Sequence, residues 1–177
     1  MDAIDALACA VLSILAVSDL RRRRLPNAAV AAYAALYFMH AWLAGESRAG
    51  LEAHVAAGIG ALAFAAVLFR FGWLGGGDAK LFAAVFLWTG PLHASAVFFV
   101  ISLSGLVLAL AQMACGRLRS RANAGAALAW LAPARGVPYG VALAAGGIAA
   151  LWLPHGQAHA VSLHQAAWLP SIHVRLT

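Results

Sequence analysis

The sequence predicts an all-α, polytopic membrane protein with about six transmembrane helices in one bundle. Of its 177 residues 64% are hydrophobic and only 10% charged, a balance foreign to soluble domains. The apolar runs are long and rich in Ala, Leu, Val and Gly. They do not alternate with polar residues in period two, so they read as helices rather than the strands of a barrel. The 12 Lys and Arg residues flank the runs, so the net charge of +6 reads as a topology signal. No nucleic-acid partner is expected from it.

The first span is predicted from about Ile4 to Ser18. Its leading "MDAIDALACAVLSILAV" carries acids where a cleavable signal needs bases, so it is expected to be retained. "DLRRRRLPN" follows, and its proline suits a new helix start. The second span covers about Asn27 to Ala44, and "GESRAGLE" forms a polar turn. The third covers about Ala53 to Phe69 and is followed by "RFGWLGGGDAK". The fourth, from Ala79 to about Gly90, is short and ends at Gly90-Pro91. The fifth covers about His93 to Cys115. A polar loop from "GRLRSRANAG" to Gly136 includes an "AALAWLA" patch expected to lie along the interface. The sixth covers about Val137 to Leu153. Residues 1–153 are thus expected to form the six-helix transmembrane domain, and 154–177 a non-cytoplasmic tail. No internal repeat is visible.

Six spans place Arg21, Arg22, Arg23, Arg24, Arg70, Lys80, Arg117, Arg119, Arg121 and Arg135 on one side, and Arg48 and Arg175 on the other. By the positive-inside rule the first side is cytoplasmic, and both termini face away from it. Cys9 and Cys115 show no metal or redox spacing and read as small buried hydrophobes. His155 and His159 lie four apart in the tail, but Pro154 and Gly156 interrupt a helix there and no acid or cysteine completes a set, so no metal site is expected. Trp168 reads as an interfacial anchor.

The chain holds six acidic residues. Asp2 and Asp5 lie at the N-terminus, and Glu46 and Glu52 flank an exterior turn, where solvation is free. Asp19 and Asp78 differ, since each sits at the cytoplasmic end of a span. At equal depth they can form a dyad sharing one proton. One carboxylate would activate water and the other would donate a hydrogen bond to a substrate carbonyl, chemistry that needs no metal or cofactor. The alternative pairs Asp19 with Arg22 or Arg23, and Asp78 with Lys80, as ordinary interfacial charges. Gly75, Gly76 and Gly77 allow close backbone approach and positive φ beside Asp78, as a wet cavity at membrane depth would need, or else form a plain flexible loop. "GGGDAK" is no phosphate-binding loop, because no GK[ST] follows at the right spacing.

These residues resemble a known family. "GGGDAKL" is similar to the G-x-G-D-x-K-L motif of the GxGD membrane aspartyl proteases called type IV prepilin peptidases, "SDLRRRRLPN" to their first-aspartate motif, and "GVPYG" (Gly136 to Gly140) to the motif opening their last helix. The resemblance extends over about Ile4 to Leu153. It implies cleavage of the short basic leader of prepilins at the cytoplasmic face of the bacterial inner membrane, usually just after a glycine. It implies Asp19 and Asp78 as the catalytic pair, Gly75 and Gly77 as the motif glycines, Lys80 in local charge balance, and Pro26 and Asn27 as structural motif positions. Leu25 stands where isoleucine is common. Larger members carry a further N-terminal region with paired cysteines, associated with N-methylation. Nothing here corresponds to it, so methyltransferase activity is not expected and the chain is similar to the short Flp or tight-adherence type. The Arg21 to Arg24 patch would repel a basic leader, so it reads as an anchor to anionic lipids. The rival reading is a non-enzymatic transporter or assembly scaffold with the aspartates as ion sites. It would need polar groups deeper in the spans, where only Ser13, Ser102, Ser104 and Gln112 are found.

Overall fold

The computed structural model describes residues 3–121 and 138–153. They form six helices: α1 (Ala3–Arg22), α2 (Asn27–Leu43), α3 (Arg48–Arg70), α4 (Gly76–Thr89), α5 (Ala94–Arg121) and α6 (Tyr139–Trp152). The interfacial patch, Arg135, the tail histidines and Trp168 lie outside the described residues.

Every expected helix is present, with ends moved by local chemistry. α1 continues past Ser18 through Asp19 to Arg22, because Leu and Arg are good helix formers and cations suit a helix C-terminus. It stops where Arg23 turns left-handed at φ 53. The Arg23 N–H still donates to the Asp19 carbonyl at 2.9 Å, and Ser18 Oγ donates to the Arg24 carbonyl at 2.9 Å. α3 begins at Arg48 rather than Ala53, because Ser47 Oγ accepts from the Gly50 N–H at 3.1 Å and caps the helix. Most of "GESRAGLE" is therefore helix.

The expectation of six spans needs correction. Three helical stretches are long and apolar enough to cross a membrane: Ala3–Arg22, Arg48–Arg70 and Ala94–Cys115. α2 has 17 residues, and α4 and α6 have 14 each. At about 1.5 Å per residue the 14-residue helices reach about 21 Å, against about 30 Å of hydrocarbon. Sequence hydropathy does not distinguish lipid-facing from protein-facing apolar residues. α4 is apolar because protein surrounds it, burying Ala79, Leu81, Phe82, Val85 and Trp88 among others. α3 and α5 instead present Ile59, Phe64, Phe98 and Phe99 outward.

α4 is the central strut, packed by α2, α3 and α6, while α6 also packs on α1 and α5. Close approach depends on small residues. A Cβ on Gly147 would stand 2.9 Å from Leu12 Cδ1 and 3.2 Å from Val85 Cγ2, and one on Gly146 would collide with Ile101. At one end of the bundle the fully buried Trp88 stacks on Tyr33 at 5.5 Å and donates from Nε1 to the Tyr33 carbonyl at 2.9 Å. Tyr37 and His54 stack beside them at 5.3 Å, and the Tyr37 hydroxyl donates to Glu46. The opposite end carries Arg21 to Arg24, Arg70 and Lys80.

Replacing Gly147 with Val should destabilise the bundle by about 1–3 kcal/mol through overpacking. Gly60→Val, where nothing lies within 4 Å, should cost nothing. Unfolding in detergent distinguishes the two, and equal effects would contradict the packing described.

Candidate active site

The candidate site lies at the basic end, where the start of α6 meets the end of α1. The first amides of any helix lack intrahelical partners, and Pro138 at the cap position of α6 offers no side-chain acceptor. Asp19 supplies it from another helix: its Oδ2 accepts from the Gly140 N–H at 2.9 Å, across 121 residues of chain. The Val141 amide also bonds this carboxylate. Asp19 is 6% exposed, so these bonds replace much of the water it gave up. Gly140 has no space for a side chain, since a Cβ there would lie 2.8 Å from Oδ2 and 2.9 Å from Cγ of Asp19. Sequence reasoning noted Gly140 only as part of a motif and missed its role. The signal was a glycine two residues after the proline that opens a helix.

Asp78 sits in the first turn of α4. Its carboxylate reaches back to the N–H of Gly75, the N-cap residue, which is half of a capping box. A Cβ on Gly75 would come within 2.8 Å of Asp78 Oδ2. The expectation of a positive-φ or flexible glycine loop is corrected here. Gly75 is extended at φ −73, Gly76 and Gly77 are helical, and the left-handed glycine nearby is Gly72 at φ 74. The close-approach half of that expectation holds, because a Cβ on Gly77 would be 3.2 Å from Leu25 Cβ.

Leu25 belongs to the α1–α2 connection, so Gly77 lets that connection lie against the start of α4. Pro26 occupies the N-cap position of α2 at φ −62. One turn along α4, Lys80 Nζ donates to Asn27 Oδ1 at 3.1 Å. Lys80 therefore joins α4 to the first residue of α2, and this hydrogen bond, rather than a pairing with Asp78, is the contact it makes. Arg23 differs from its neighbours: Arg21, Arg22 and Arg24 are exposed, whereas Nε and Nη1 of Arg23 are buried and its charge acts on Asp19. Three of the four arginines thus form the outward patch.

α4 is not one of the membrane-length helices, and Asp78 is half-buried at its mouth. Burial first, and then the neighbouring Asp19 carboxylate, push the Asp78 carboxyl up to about 6, against the opposing effect of the Gly75 N–H. The charge of Asp19 therefore acts on Asp78. Among the described residues no three His, Cys, Asp or Glu side chains group to hold a metal ion.

An all-helical membrane protein with two carboxylates held by helix-start amides at one end of its bundle is thereby defined. Comparison with protein families matches residues 6–110, more than half of the chain, to the type IV leader peptidase family. The chain belongs to that family and is a membrane peptidase of the leader-peptidase type. Comparisons with curated proteins and with solved structures find no match.

Gly140→Ala should displace Asp19 and reduce peptidase activity about 100-fold, as misplacement by an ångström can do, with helix content by circular dichroism unchanged. Full activity would show that the Asp19–Gly140 contact is dispensable. A carboxyl whose pKa is raised on folding binds its proton more tightly in the folded state. The stability owed to Asp78 is therefore present below pH 3.8, falls as pH rises, and is gone above about 6. Thermal melts in detergent should show Asp78→Asn gaining on the wild type between pH 4 and pH 7.5. Parallel pH curves would refute this.

Proposed function

We propose that this peptidase is an aspartyl endopeptidase of the bacterial inner membrane that removes the basic leader of Flp-like type IV prepilins at the cytoplasmic face, with Asp19 and Asp78 as its catalytic pair. The observation that carries the reading is that both carboxylates are held by backbone amides at helix starts at the basic end of the bundle, in a member of the leader-peptidase family. Two carboxylates within electrostatic reach resist double ionisation, so in the reactive form one holds a proton while the other stays charged. The charged one takes a proton from water as that water attacks the scissile carbonyl. The protonated one donates to the carbonyl oxygen as negative charge develops there, and as the tetrahedral intermediate collapses the leaving amine takes the proton that the other carboxyl received from water.

Helix ends prepare this chemistry. Gly140 and Val141 amides orient Asp19, and the Gly75 amide orients Asp78. Each carboxylate is thus already held by backbone amides before substrate arrives. Gly75 and Gly77 support the pair through backbone approach, and Lys80, Asn27 and Pro26 fix the start of α2 against α4. On this reading all six helices form one unit in the bilayer, with the shorter three shielded by the membrane-length ones. Arg21, Arg22 and Arg24 face anionic lipid head groups at the surface where the leader arrives. N-methylation of the product is not part of the assigned activity.

Asp19→Asn and Asp78→Asn should each abolish leader removal from a prepilin in membranes while both proteins accumulate and insert normally. EDTA should leave the purified enzyme active. Processing by either variant would reject the pair, and loss of activity restored by zinc would indicate a metalloprotease.

A further inference from the structure

A left-handed residue that closes a helix is ordinarily glycine, because a Cβ is strained there. At the end of α1 the residue is Arg23, at φ 53, the one non-glycine with positive φ among the described residues. Its N–H donates to the Asp19 carbonyl at 2.9 Å. Arg23 is thus the residue just past the helix, and Asp19 lies one turn before it. Ser18 Oγ fixes the following residue by donating to the Arg24 carbonyl at 2.9 Å. A turn with this hydrogen bond brings the side chains of its two ends together, usually as an apolar contact. In this protein the two ends are a guanidinium and a carboxylate.

Side-chain placement agrees with the backbone. Nε and Nη1 of Arg23 are buried, whereas Arg21, Arg22 and Arg24 are exposed, and the Arg23 charge acts on the buried Asp19. The helices packed around Asp19 bring other groups. α6 brings the Gly140 and Val141 amides, while its titratable side chain, Tyr139, lines a cavity beside α3 and α5. α2 carries Tyr33, Tyr37 and His40 to the opposite end, where they meet Trp88, Glu46 and Asp5. α4 brings Asp78, on which the charge of Asp19 acts, and Lys80, whose ammonium goes to Asn27 Oδ1. The two carboxylates are therefore not equivalent. Asp19 has a cation folded against it by the end of its own helix, and the cation that follows Asp78 on α4 is turned to α2.

We propose that Arg23 divides the labour of the acid pair: it keeps Asp19 as the charged base that takes the proton from water, and leaves Asp78 as the carboxyl that donates to the substrate carbonyl. This rests on the proposed peptidase reading and adds to it which acid does which. A cation beside a carboxylate favours its charged form, and a charged Asp19 favours the proton on Asp78. Arg23 is a positioning residue that acts through Asp19. An arginine kept at a turn that glycine would take without strain is accounted for by its side chain.

The test measures kcat/KM against pH for leader removal from a prepilin, with the full-length enzyme in proteoliposomes. Arg23→Gly keeps the left-handed turn and removes the charge. The acid limb of its profile, which belongs to the pair, should move to higher pH. Activity on the acid side should fall about tenfold and recover in part as pH rises. Arg23→Lys retains the charge and should restore most of the wild-type limb. Arg70→Gln removes an exposed cation from the same end of the bundle and should leave the profile unchanged. A profile of wild-type shape in Arg23→Gly, at full or uniformly lowered rate, would make Arg23 a cap only and overturn the proposal. A limb displaced as far in Arg23→Lys or Arg70→Gln as in Arg23→Gly would also overturn it. Should Arg23→Gly fail to accumulate, Arg23→Asn, which also tolerates the turn, is read in the same way. Failure of both would make the side chain a structural tie and overturn the proposal. A wild type that removes no leader at any pH would instead remove the peptidase reading.

Discussion

Two carboxylates at one end of an otherwise apolar bundle must find hydrogen-bond donors, and in this protein helix N-termini supply them. A helix start is short of acceptors, and a buried carboxylate is short of donors. Asp19 meets both needs for α6, and Asp78 does so for its own helix α4. The positive ends of two helices also favour negative charge where the bundle has little water. The remaining architecture brings these two helix starts to the same end of the bundle. α6 is drawn against α1, α4 is placed at the centre, and the connection through Leu25 is seated on Gly77.

This explains why glycine recurs where it does. At Gly75 and Gly140 a side chain would strike the carboxylate that the local amide holds. At Gly146 and Gly147 it would separate α6 from Ile101, Leu12 and Val85. None of these positions has a left-handed backbone. They are glycine for space, in a setting where tight van der Waals contact replaces the hydrophobic drive that water supplies elsewhere. The longer helices then provide the outward apolar surface that the short central ones lack.

Much of this was legible in the sequence, for physical reasons that vary by element. Pro26, the Gly90-Pro91 pair and Pro138 punctuate the chain, so the helices could be counted and roughly bounded. Asp19 and Asp78 stood out because acids are scarce, and each is held by a helix-start amide at the basic end of the bundle. The number of membrane-length helices was not legible, because Leu81 buried against protein reads the same as Leu103 facing outward. Nor was the partner of Asp19. Nothing local to "SDLRR" points to an amide 121 residues away, and nothing near "DAK" shows that Lys80 would turn to Asn27. Local patterns reveal which helices form, while contacts between distant segments decide what the polar groups bind.

The Asp19–Gly140 bond also bears on the order of events at the ribosome. Synthesis proceeds from the N-terminus, so α1 emerges first and α6 last of the described helices. Until the final helix is threaded into place, the Asp19 carboxylate lacks the amide that orients it. The contact that orients Asp19 is thus completed in one step, with the arrival of the closing helix.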